Sequence, residues 1–431
     1  MRIRKIKFLN ERALGNLEFD FVDANNRPYE TIIFVGVNGV GKTTILKDIE
    51  TFIKSFEGSC SFVESVEYEH LGKIYNTSSD GMNFSVSNAE GKRYSNCGPG
   101  YNEIREEMPS SWKENSCFLV DSDTDCEKTE TFNQIMNSLK HIQNADIVEY
   151  VSYNTVHNDN PQKWSDFIET SRTNKIAKAI NFFFDGQLEY FGLGFGGQNE
   201  IVVGFKKYGK NIASNGLSSG EKQIVYKAVS YLMNNNNAPH VLLLDEPELG
   251  LHPAWQKKIL GFYQKLVSDQ SQVQKSQIFV STHSPYILAE FLRASNTLIY
   301  RVYEDRGIPH CKKIDASNYL FNLTYAEVNY LVFDIPSPEY HNQLFCEIQN
   351  RTSRYTVAGC DAYIAGNQCF VAGVHGKQST HGNTTYQTIC SYIRNAIDHF
   401  DNGNSYTREE LVLSIELMQQ ILRTHLLQAN P

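Results

Sequence analysis

The segment GVNGVGKT at residues 36–43 constrains this chain more than any other feature of its sequence. It follows a continuous apolar run, TIIFV at residues 31–35, and opens a stretch with helical periodicity. This order predicts a buried strand, a glycine-rich turn and a helix, in which glycines let backbone N–H groups approach phosphate oxygens. The helix N-terminus adds a partial positive charge. The segment therefore predicts a site for nucleotide phosphates in an α/β domain.

The residues of this segment have separate expected roles in binding ATP and Mg²⁺, the two expected cofactors. Lys42 is expected to reach the β- and γ-phosphates, and Thr43 is expected to bind the metal. The other predicted nucleotide contacts are Gly36, Asn38, Gly39, Gly41 and Thr44. The alternative is a glycine-rich turn that binds nothing.

A second apolar run, VLLL at residues 241–244, ends in two adjacent carboxylates, Asp245 and Glu246. Ligands of open α/β sheets bind at the C-terminal edge of the strands, so we expect this pair beside the phosphate segment. Asp245 would hold Mg²⁺ through water, and Glu246 would polarise the attacking water as a general base. An apolar run ending in Asp-Glu is common by itself, and its position about 200 residues after the phosphate segment makes it informative.

The segment LSSGEKQ at residues 217–223 resembles the signature sequence of ABC-type ATPases. Ser218, Gly220 and Glu221 would lie at a helix N-terminus, which can bind an anion. In that family the signature binds the γ-phosphate held by the opposite subunit. The resemblance therefore implies that ATP is hydrolysed between two copies arranged head to tail. The alternative is an ordinary N-capped helix.

The segment VSTHSP at residues 280–285 places His283 in a polar turn after an apolar run. In ABC-type ATPases the matching histidine contacts the γ-phosphate and senses its loss. The resemblance thus assigns His283 to the catalytic group, together with Glu246 and Lys42. A lone histidine is more often structural.

The four motifs occur in the order of the ABC-type family, and further residues narrow the branch. The segment EPELGLHP at 246–253 and the strand pair expected at 2–8 and 17–22 look like those of OLD-like and RecF-like ATPases. Sustained heptads, which true SMC proteins need, are missing between the phosphate segment and the signature. The resemblance implies an α/β, ABC-type (RecF/SMC-like) P-loop core over residues 1–302. A β insertion and a helical lobe are expected at about 57–210.

One residue of the family pattern is not evident. The glutamine that usually contacts Mg²⁺ has no counterpart before Gln134. Asp121 or Asp123, which follow an apolar run at 117–120, are the candidates for that place. The coupling of ATP binding to movement of the helical lobe is therefore left open.

Residues 303–431 are expected to form a mainly α-helical C-terminal domain. Helical periodicity is seen at 324–333, 338–350, 384–400 and 407–427, with a glycine-rich, partly β-like stretch at 355–376. Thr407 and Glu410 have the spacing of a capping box, which predicts the start of the last helix.

Within this domain, Arg394, Asn395 and His399 resemble the Arg and His motif of HEPN ribonucleases. The resemblance implies a nuclease that acts on the ribose 2′-hydroxyl and the phosphate. The alternative is a solvated arginine and a histidine beside the negative end of the helix dipole. A zinc site is a further alternative, with a spacing that matches no standard zinc motif; its ligands would be Cys360, Cys369, His375 and His381.

Composition excludes some classes of protein. No stretch approaches the roughly 18 apolar residues of a membrane span, and the charged N-terminus does not read as a signal peptide. Nine cysteines, an odd number, are expected as reduced thiols. The net charge of −9 disfavours general coating of nucleic acid and permits a local basic groove. We therefore expect a cytoplasmic protein with no membrane segment.

An OLD-like core with a helical C-terminal extension looks like the ATPase subunits of bacterial antiphage systems, such as the Septu-type ATPases. The resemblance implies a homo-oligomeric sensor ATPase that controls a separate nuclease effector. Two alternatives stay open. One is a self-contained ribonuclease toxin under ATPase control, and the other is a RecF-type DNA repair ATPase that binds nucleic acid.

Overall fold

A computed structural model describes most of the chain. The described residues are 1–54, 62–70, 72–79, 84–88, 93–95, 117–120, 129–195, 201–233, 241–268, 271, 273–291, 294, 296–314, 320, 324–381, 384–399, 403 and 405–429. They divide into two compact units, Met1–Lys313 and Ile314–Pro431. None of the described helices is long and apolar enough to cross a membrane.

The first unit contains fifteen of the described strands and seven of the described helices. The strands are β1 (Arg2–Phe8), β2 (Glu18–Asp20), β3 (Thr31–Val35), β4 (Val63–His70), β5 (Lys73–Ser79), β6 (Phe84–Asn88), β7 (Arg93–Ser95), β8 (Cys117–Val120), β9 (Leu188–Phe195), β10 (Ile201–Lys207), β11 (Lys210–Ile212), β12 (Val241–Asp245), β13 (Gln277–Thr282), β14 (Thr297–Asp305) and β15 (Ile308–Ile314). The helices are α1 (Lys42–Lys54), α2 (Thr129–Val156), α3 (Trp164–Thr170), α4 (Arg172–Phe183), α5 (Ser219–Met233), α6 (Pro253–Val267) and α7 (Pro285–Phe291).

The central sheet has the strand order β15-β14-β3-β13-β12-β8. Its strands β14, β3, β13, β12 and β8 run parallel. Every residue of β3, β12 and β13 is buried, as expected for strands covered on both faces. The C-terminal ends of these three strands therefore share one edge of the sheet, and three of the four predicted motifs begin there.

The N-terminal strand pair and the β insertion belong to one antiparallel sheet, in the order β2-β1-β4-β5-β6-β7. The predicted antiparallel pairing of β1 with β2 is confirmed. Alternation along the second half of β1 buries Ile6 and Phe8, and a register shift between Ile3 and Lys5 allows Ile3 to be buried as well. The buried Gln277 side chain joins this sheet to β13, because its amide accepts from the Ile3 N–H at 2.6 Å and donates to the Ile3 carbonyl at 2.9 Å.

The helix predicted over 163–184 is two helices, α3 and α4, separated at Ser171. The Ser171 hydroxyl accepts from the Asn174 N–H at 3.1 Å and so caps α4. The buried carboxylate of Asp146 accepts from the backbone and the hydroxyl of Thr173, at 2.9 and 2.7 Å. A side chain of α2 thus fixes the start of α4, which sequence periodicity does not reveal.

The predicted domain boundary near residue 302 falls inside β14. This strand pairs in parallel with β3 from Thr297 to Arg301, and β15 lies beside it at the edge of the central sheet. Residues 303–313 therefore belong with the first unit, because strand pairing holds them there.

The second unit is mainly helical and contains one described hairpin. Its elements are α8 (Tyr325–Phe333), α9 (Pro338–Thr352), α10 (Val357–Ala365), α11 (Ala372–His375), β16 (Gly376–His381), β17 (Thr384–Thr388), α12 (Ile389–Asp398) and α13 (Arg408–Ala429). Its core is built from apolar side chains of α9, α12 and α13, including Leu344, Ile393 and Met418.

Two sequence expectations in this unit were wrong. Residues 384–388 form β17 and not the start of a helix, because α12 begins only after Thr388, whose hydroxyl accepts from the Ser391 N–H. Residues 357–365 form helix α10 in the stretch expected to be partly β-like. The capping box that starts α13 is confirmed, with Thr407 N to Glu410 Oε2 at 3.0 Å and Glu410 N to Thr407 Oγ1 at 3.3 Å.

Candidate nucleotide site

The turn between β3 and α1 requires glycine at two positions. A Cβ on Gly36 would lie 2.1 Å from the Val302 carbonyl oxygen, and a Cβ on Gly41 would lie 2.6 Å from Cδ2 of Leu14. Both glycines also have positive φ, 157° and 93°. The Val302 carbonyl and the Leu14 side chain therefore lie too close to this turn to allow a side chain at these positions. The predicted order of strand, glycine-rich turn and helix is confirmed.

The Lys42 side chain folds back over this turn. Its Nζ donates to the carbonyls of Gly36 and Val37, each at 3.1 Å, and the side chain is 5% exposed. Burial lowers the pKa of Lys42 to about 8, an effect that nearby carboxylates oppose. In the part of the chain that the structure describes, the hydrogen bonds of this buried cation go to neutral carbonyls, which suits the binding of an anionic ligand such as a phosphate. The turn and its lysine therefore fit a nucleotide.

Thr43 and Asp245 bring two of the predicted motifs into contact. Thr43 Oγ1 donates to Asp245 Oδ1 at 3.0 Å, and the Ser281 hydroxyl donates to the same carboxylate oxygen. Hydroxyl and carboxylate oxygens are the ligands that Mg²⁺ prefers, usually beside phosphate oxygens. These residues therefore fit a magnesium ion held between the turn and the end of β12.

Glu246 and His283 form a second pair at the same edge of the sheet. Glu246 Oε1 lies 3.1 Å from His283 Nε2, and each side chain is 29% exposed. The backbone N–H of Glu246 donates to the Ser281 carbonyl at 3.1 Å, and its φ is 43°. A non-glycine residue with positive φ is uncommon and is often held so at a functional site.

Electrostatics around His283 favour its neutral form. Burial lowers the pKa of His283 and the positive charge of Lys42 lowers it further, while Glu246 acts in the opposite direction. At Nε2, a neutral imidazole either donates or accepts one hydrogen bond, depending on its tautomer. The pair can therefore orient a water molecule or a phosphate oxygen beside the carboxylate of Glu246.

Sequence reasoning assigned no role to Glu248, Ser281 or Thr282, which also lie at this edge. Ser281 contacts Asp245 and the Glu246 backbone, as described above. Glu248 is 7% exposed, and one of its oxygens accepts from the Thr282 hydroxyl and from the His283 N–H. The segment EPELGLHP was used to identify the family branch. Nothing in its sequence indicates that its second glutamate, Glu248, contacts His283, which lies 35 residues away.

The signature segment forms the N-terminus of α5. The Ser218 N–H donates to Glu221 Oε2 at 2.7 Å, and Lys207 Nζ lies 2.8 Å from Glu221 Oε1. A Cβ on Gly220 would lie 2.6 Å from Cζ3 of Trp255. Glu221 therefore shapes the helix start, and its carboxylate is occupied by Ser218 and Lys207.

The predicted nuclease residues lie at the C-terminal end of α12, with Arg394 and Asn395 inside the helix and His399 just after it. The Arg394 guanidinium binds Asp398 Oδ2 at 2.8 Å and donates to Asn395 Oδ1 at 3.1 Å. His399 caps the helix C-terminus, where its N–H donates to the Asn395 carbonyl at 3.1 Å. The guanidinium is thus paired with neighbours on its own helix.

The residues proposed for zinc have other surroundings. The Cys360 thiol is buried, Cys369 Sγ lies 3.9 Å from the Thr424 hydroxyl, and His375 Nδ1 accepts from the Val371 N–H. Among the described residues, no group of three or more His, Cys, Asp or Glu side chains could hold a metal ion. The His381 side chain and the candidates Asp121 and Asp123 lie outside the described residues.

Two sequence comparisons relate this geometry to known proteins. A family model described as "AAA domain, putative AbiEii toxin, Type IV TA system" matches residues 152–289, which include the signature, carboxylate and histidine motifs. The Septu protein PtuA of Bacillus mycoides (strain KBAB4) is 23% identical over 408 residues, covering 83% of this chain and 51% of that protein. The chain thus spans about half the length of this curated relative.

Solved structures with a similar chain path include SMC head domains. One is the SMC head domain from Thermotoga maritima, at 17% identity and a TM-score of 0.43, covering 73% of this chain and 100% of that one. Another is an SMC head bound to the C-terminal winged-helix domain of ScpA, at 14% identity and a TM-score of 0.47, covering 74% and 99%. The chain is therefore similar in sequence to the Septu protein PtuA, and its motifs resemble those of ABC-type ATPases.

Proposed function

We propose that this chain is the ATP-hydrolysing regulatory subunit of an antiphage defence system, and that it controls a nuclease effector. The observation that carries the ATPase part is the meeting of Thr43, Asp245, Glu246 and His283 at one edge of the central sheet. The relation to a Septu protein supports the role in defence.

The hydrolytic chemistry follows from these contacts. ATP with Mg²⁺ supplies the reactive γ-phosphoryl group and the metal charge when bound. Lys42 neutralises phosphate charge, and Thr43 and Asp245 supply oxygen ligands for the metal. Glu246 accepts a proton from the attacking water, and His283 holds the Glu246 carboxylate in place while it orients the water or the phosphate.

In a head-to-tail dimer, the signature segment at residues 217–223 of one copy would bind the phosphate held by the other copy. Ser218 and Gly220 lie at the N-terminus of the fifteen-residue helix α5, which is suited to a phosphate. In the ABC-type family that phosphate belongs to the opposite subunit. We therefore propose that each of two sites combines Lys42 of one copy with Ser218 of the other.

The ATPase part is tested with Glu246→Gln, which keeps the size of the side chain and removes the base. We expect ATP binding to persist while turnover falls by about 10²- to 10⁴-fold. Wild-type turnover in this variant would remove Glu246 from the mechanism.

The regulatory part is tested by isolating the chain from its native host. We expect a nuclease to copurify in a fixed ratio, to stay inactive when the chain carries Glu246→Gln and keeps its ATP, and to become active when the chain loses ATP. A chain that purifies alone and has no effect on any nuclease would contradict control of an effector.

The C-terminal unit is proposed as a docking platform, because the Arg394 guanidinium is paired with Asp398. The ribonuclease alternative requires Arg394 and His399 to act on RNA. Arg394→Ala and His399→Ala are expected to leave defence and ATP turnover unchanged. Loss of defence with normal ATP turnover in both variants would instead favour the self-contained ribonuclease.

A further inference from the structure

The turn after β12 carries a buried carboxyl group that the proposed chemistry does not use. Glu248 is 7% exposed, and its Oε1 accepts hydrogen bonds from the Thr282 hydroxyl and, at 3.0 Å, from the His283 N–H. Thr282 and His283 end β13 and begin the polar turn after it. One carboxyl oxygen thus ties together the ends of two neighbouring strands.

The same contact organises the rest of that turn. Thr282 Oγ1, which donates to Glu248, accepts from the Ser284 N–H at 2.9 Å. The Ser284 hydroxyl donates to Gln256 Oε1 on α6 at 2.7 Å. His283 therefore lies between two residues whose side chains are fixed, and its backbone is fixed by Glu248. Only its imidazole remains to be oriented, and that ring contacts Glu246.

The second oxygen of Glu248 has different surroundings. Oε2 is buried and has no hydrogen-bond partner in the described part of the chain. A buried carboxylate is unfavourable without a cation bonded to it. Burial raises the pKa of Glu248 although the hydrogen bonds from Thr282 and His283 oppose this, and the nearby Glu246 raises it further. Burial without a bonded cation therefore favours the neutral, protonated form of Glu248, which can still accept hydrogen bonds through Oε1.

We propose that Glu248 is a positioning residue for His283, and that it acts through the acceptor oxygen Oε1 and not through a negative charge. This inference rests on the proposed role of Glu246 and His283 in ATP hydrolysis. Glu248 holds the backbone of His283, so the imidazole meets Glu246 in one geometry. Loss of that acceptor frees the turn and displaces the imidazole from the carboxylate.

Two substitutions of similar size separate the acceptor from the charge. Glu248→Gln keeps an acceptor oxygen and cannot carry a negative charge, whereas Glu248→Leu has neither an acceptor nor a charge. For Glu248→Gln we expect kcat within about threefold of wild type. For Glu248→Leu we expect kcat to fall by about tenfold to a hundredfold, because the His283 imidazole is then misplaced. KM for ATP should change little in either, because Lys42 and the glycine-rich turn are untouched. Equal losses in both variants would overturn the inference, as would full activity in Glu248→Leu.

A double-mutant cycle tests whether Glu248 acts through His283. In a His283→Ala background, Glu248→Leu should lower kcat no further, since residues acting through one another are not additive. An undiminished loss in that background would place the effect of Glu248 elsewhere. Thermal unfolding of each variant identifies any that fail to fold, and Glu248→Gln serves as the folded control.

A spectroscopic readout separates this inference from the ATPase proposal. The imidazole signal of His283 is assigned by NMR through its loss in His283→Ala, and it is titrated with pH in the nucleotide-free chain. We expect the titration midpoint to move in Glu248→Leu and to stay in Glu248→Gln. Identical midpoints in all three chains would contradict positioning even if ATP turnover behaves as expected. Conversely, full turnover in Glu246→Gln would remove Glu246 from the proposed mechanism and leave this readout valid.

Discussion

Thr43 Oγ1 lies 3.0 Å from Asp245 Oδ1, although 202 residues separate them in the chain. The contact exists because β3 and β12 flank β13 in the central sheet and end at the same edge. It joins the two residues that are proposed to bind the metal. The central sheet therefore brings together two motifs that are distant in the sequence.

Thr43→Val keeps the shape of the side chain and removes the hydroxyl. We expect ATP affinity in the presence of Mg²⁺ to fall by between about tenfold and a hundredfold, the range for hydrogen bonds to charged groups. Thr43→Ser retains the hydroxyl and should bind within a few-fold of wild type. Calorimetric titration with and without Mg²⁺ makes the comparison, and equal affinities for the valine and serine variants would contradict a metal role for Thr43.

The lowered pKa of Lys42 predicts a pH dependence of nucleotide binding. Burial brings this pKa to about 8, so the ammonium is charged below that pH and loses its proton above it. ATP affinity should be nearly constant below pH 8 and should fall by up to about tenfold per pH unit above it. Lys42→Arg stays charged and should show no fall in the same window. A flat wild-type profile up to pH 10 would contradict the assignment.

Gly220 should not tolerate even alanine. The added Cβ would lie 2.6 Å from the Trp255 ring, which is held by edge contacts with Phe183 and Phe184. Replacing glycine by alanine normally stabilises a helix. Here we expect overpacking to lower the free energy of unfolding by about 1–3 kcal/mol and to lower ATP turnover as well. Gly216→Ala is the matched control, since its Cβ would meet nothing closer than 3.7 Å, at Ile212. Denaturant unfolding of both variants decides the point, and equal stabilities would contradict the packing argument.

The sequence was informative where chemistry is carried by consecutive residues. Strand β3, the glycine-rich turn and α1 follow one another without a break, so apolar patterning and glycine spacing sufficed to place Lys42 and Thr43. The same holds for the capping box at Thr407, whose partner lies three residues away.

Features that depend on distant contacts could not be read from the sequence. The role of Glu248 depends on Thr282, 34 residues away, and the break at Ser171 is supported by Asp146 on another helix. Residues 303–305 resemble the start of a new domain, and only pairing of their strand with β3 assigns them to the first unit. Periodicity describes which side chains are buried, and it does not describe their partners.

The most direct test of the central claim is active-site complementation between two inactive chains. Lys42→Ala removes the phosphate lysine, and Ser218→Arg blocks the signature, so each chain alone should hydrolyse no ATP. If Lys42 of one copy works with Ser218 of the other, an equimolar mixture contains mixed dimers with one intact site and should recover about a quarter of wild-type turnover. A mixture as inactive as its two components would contradict hydrolysis at a shared head-to-tail interface.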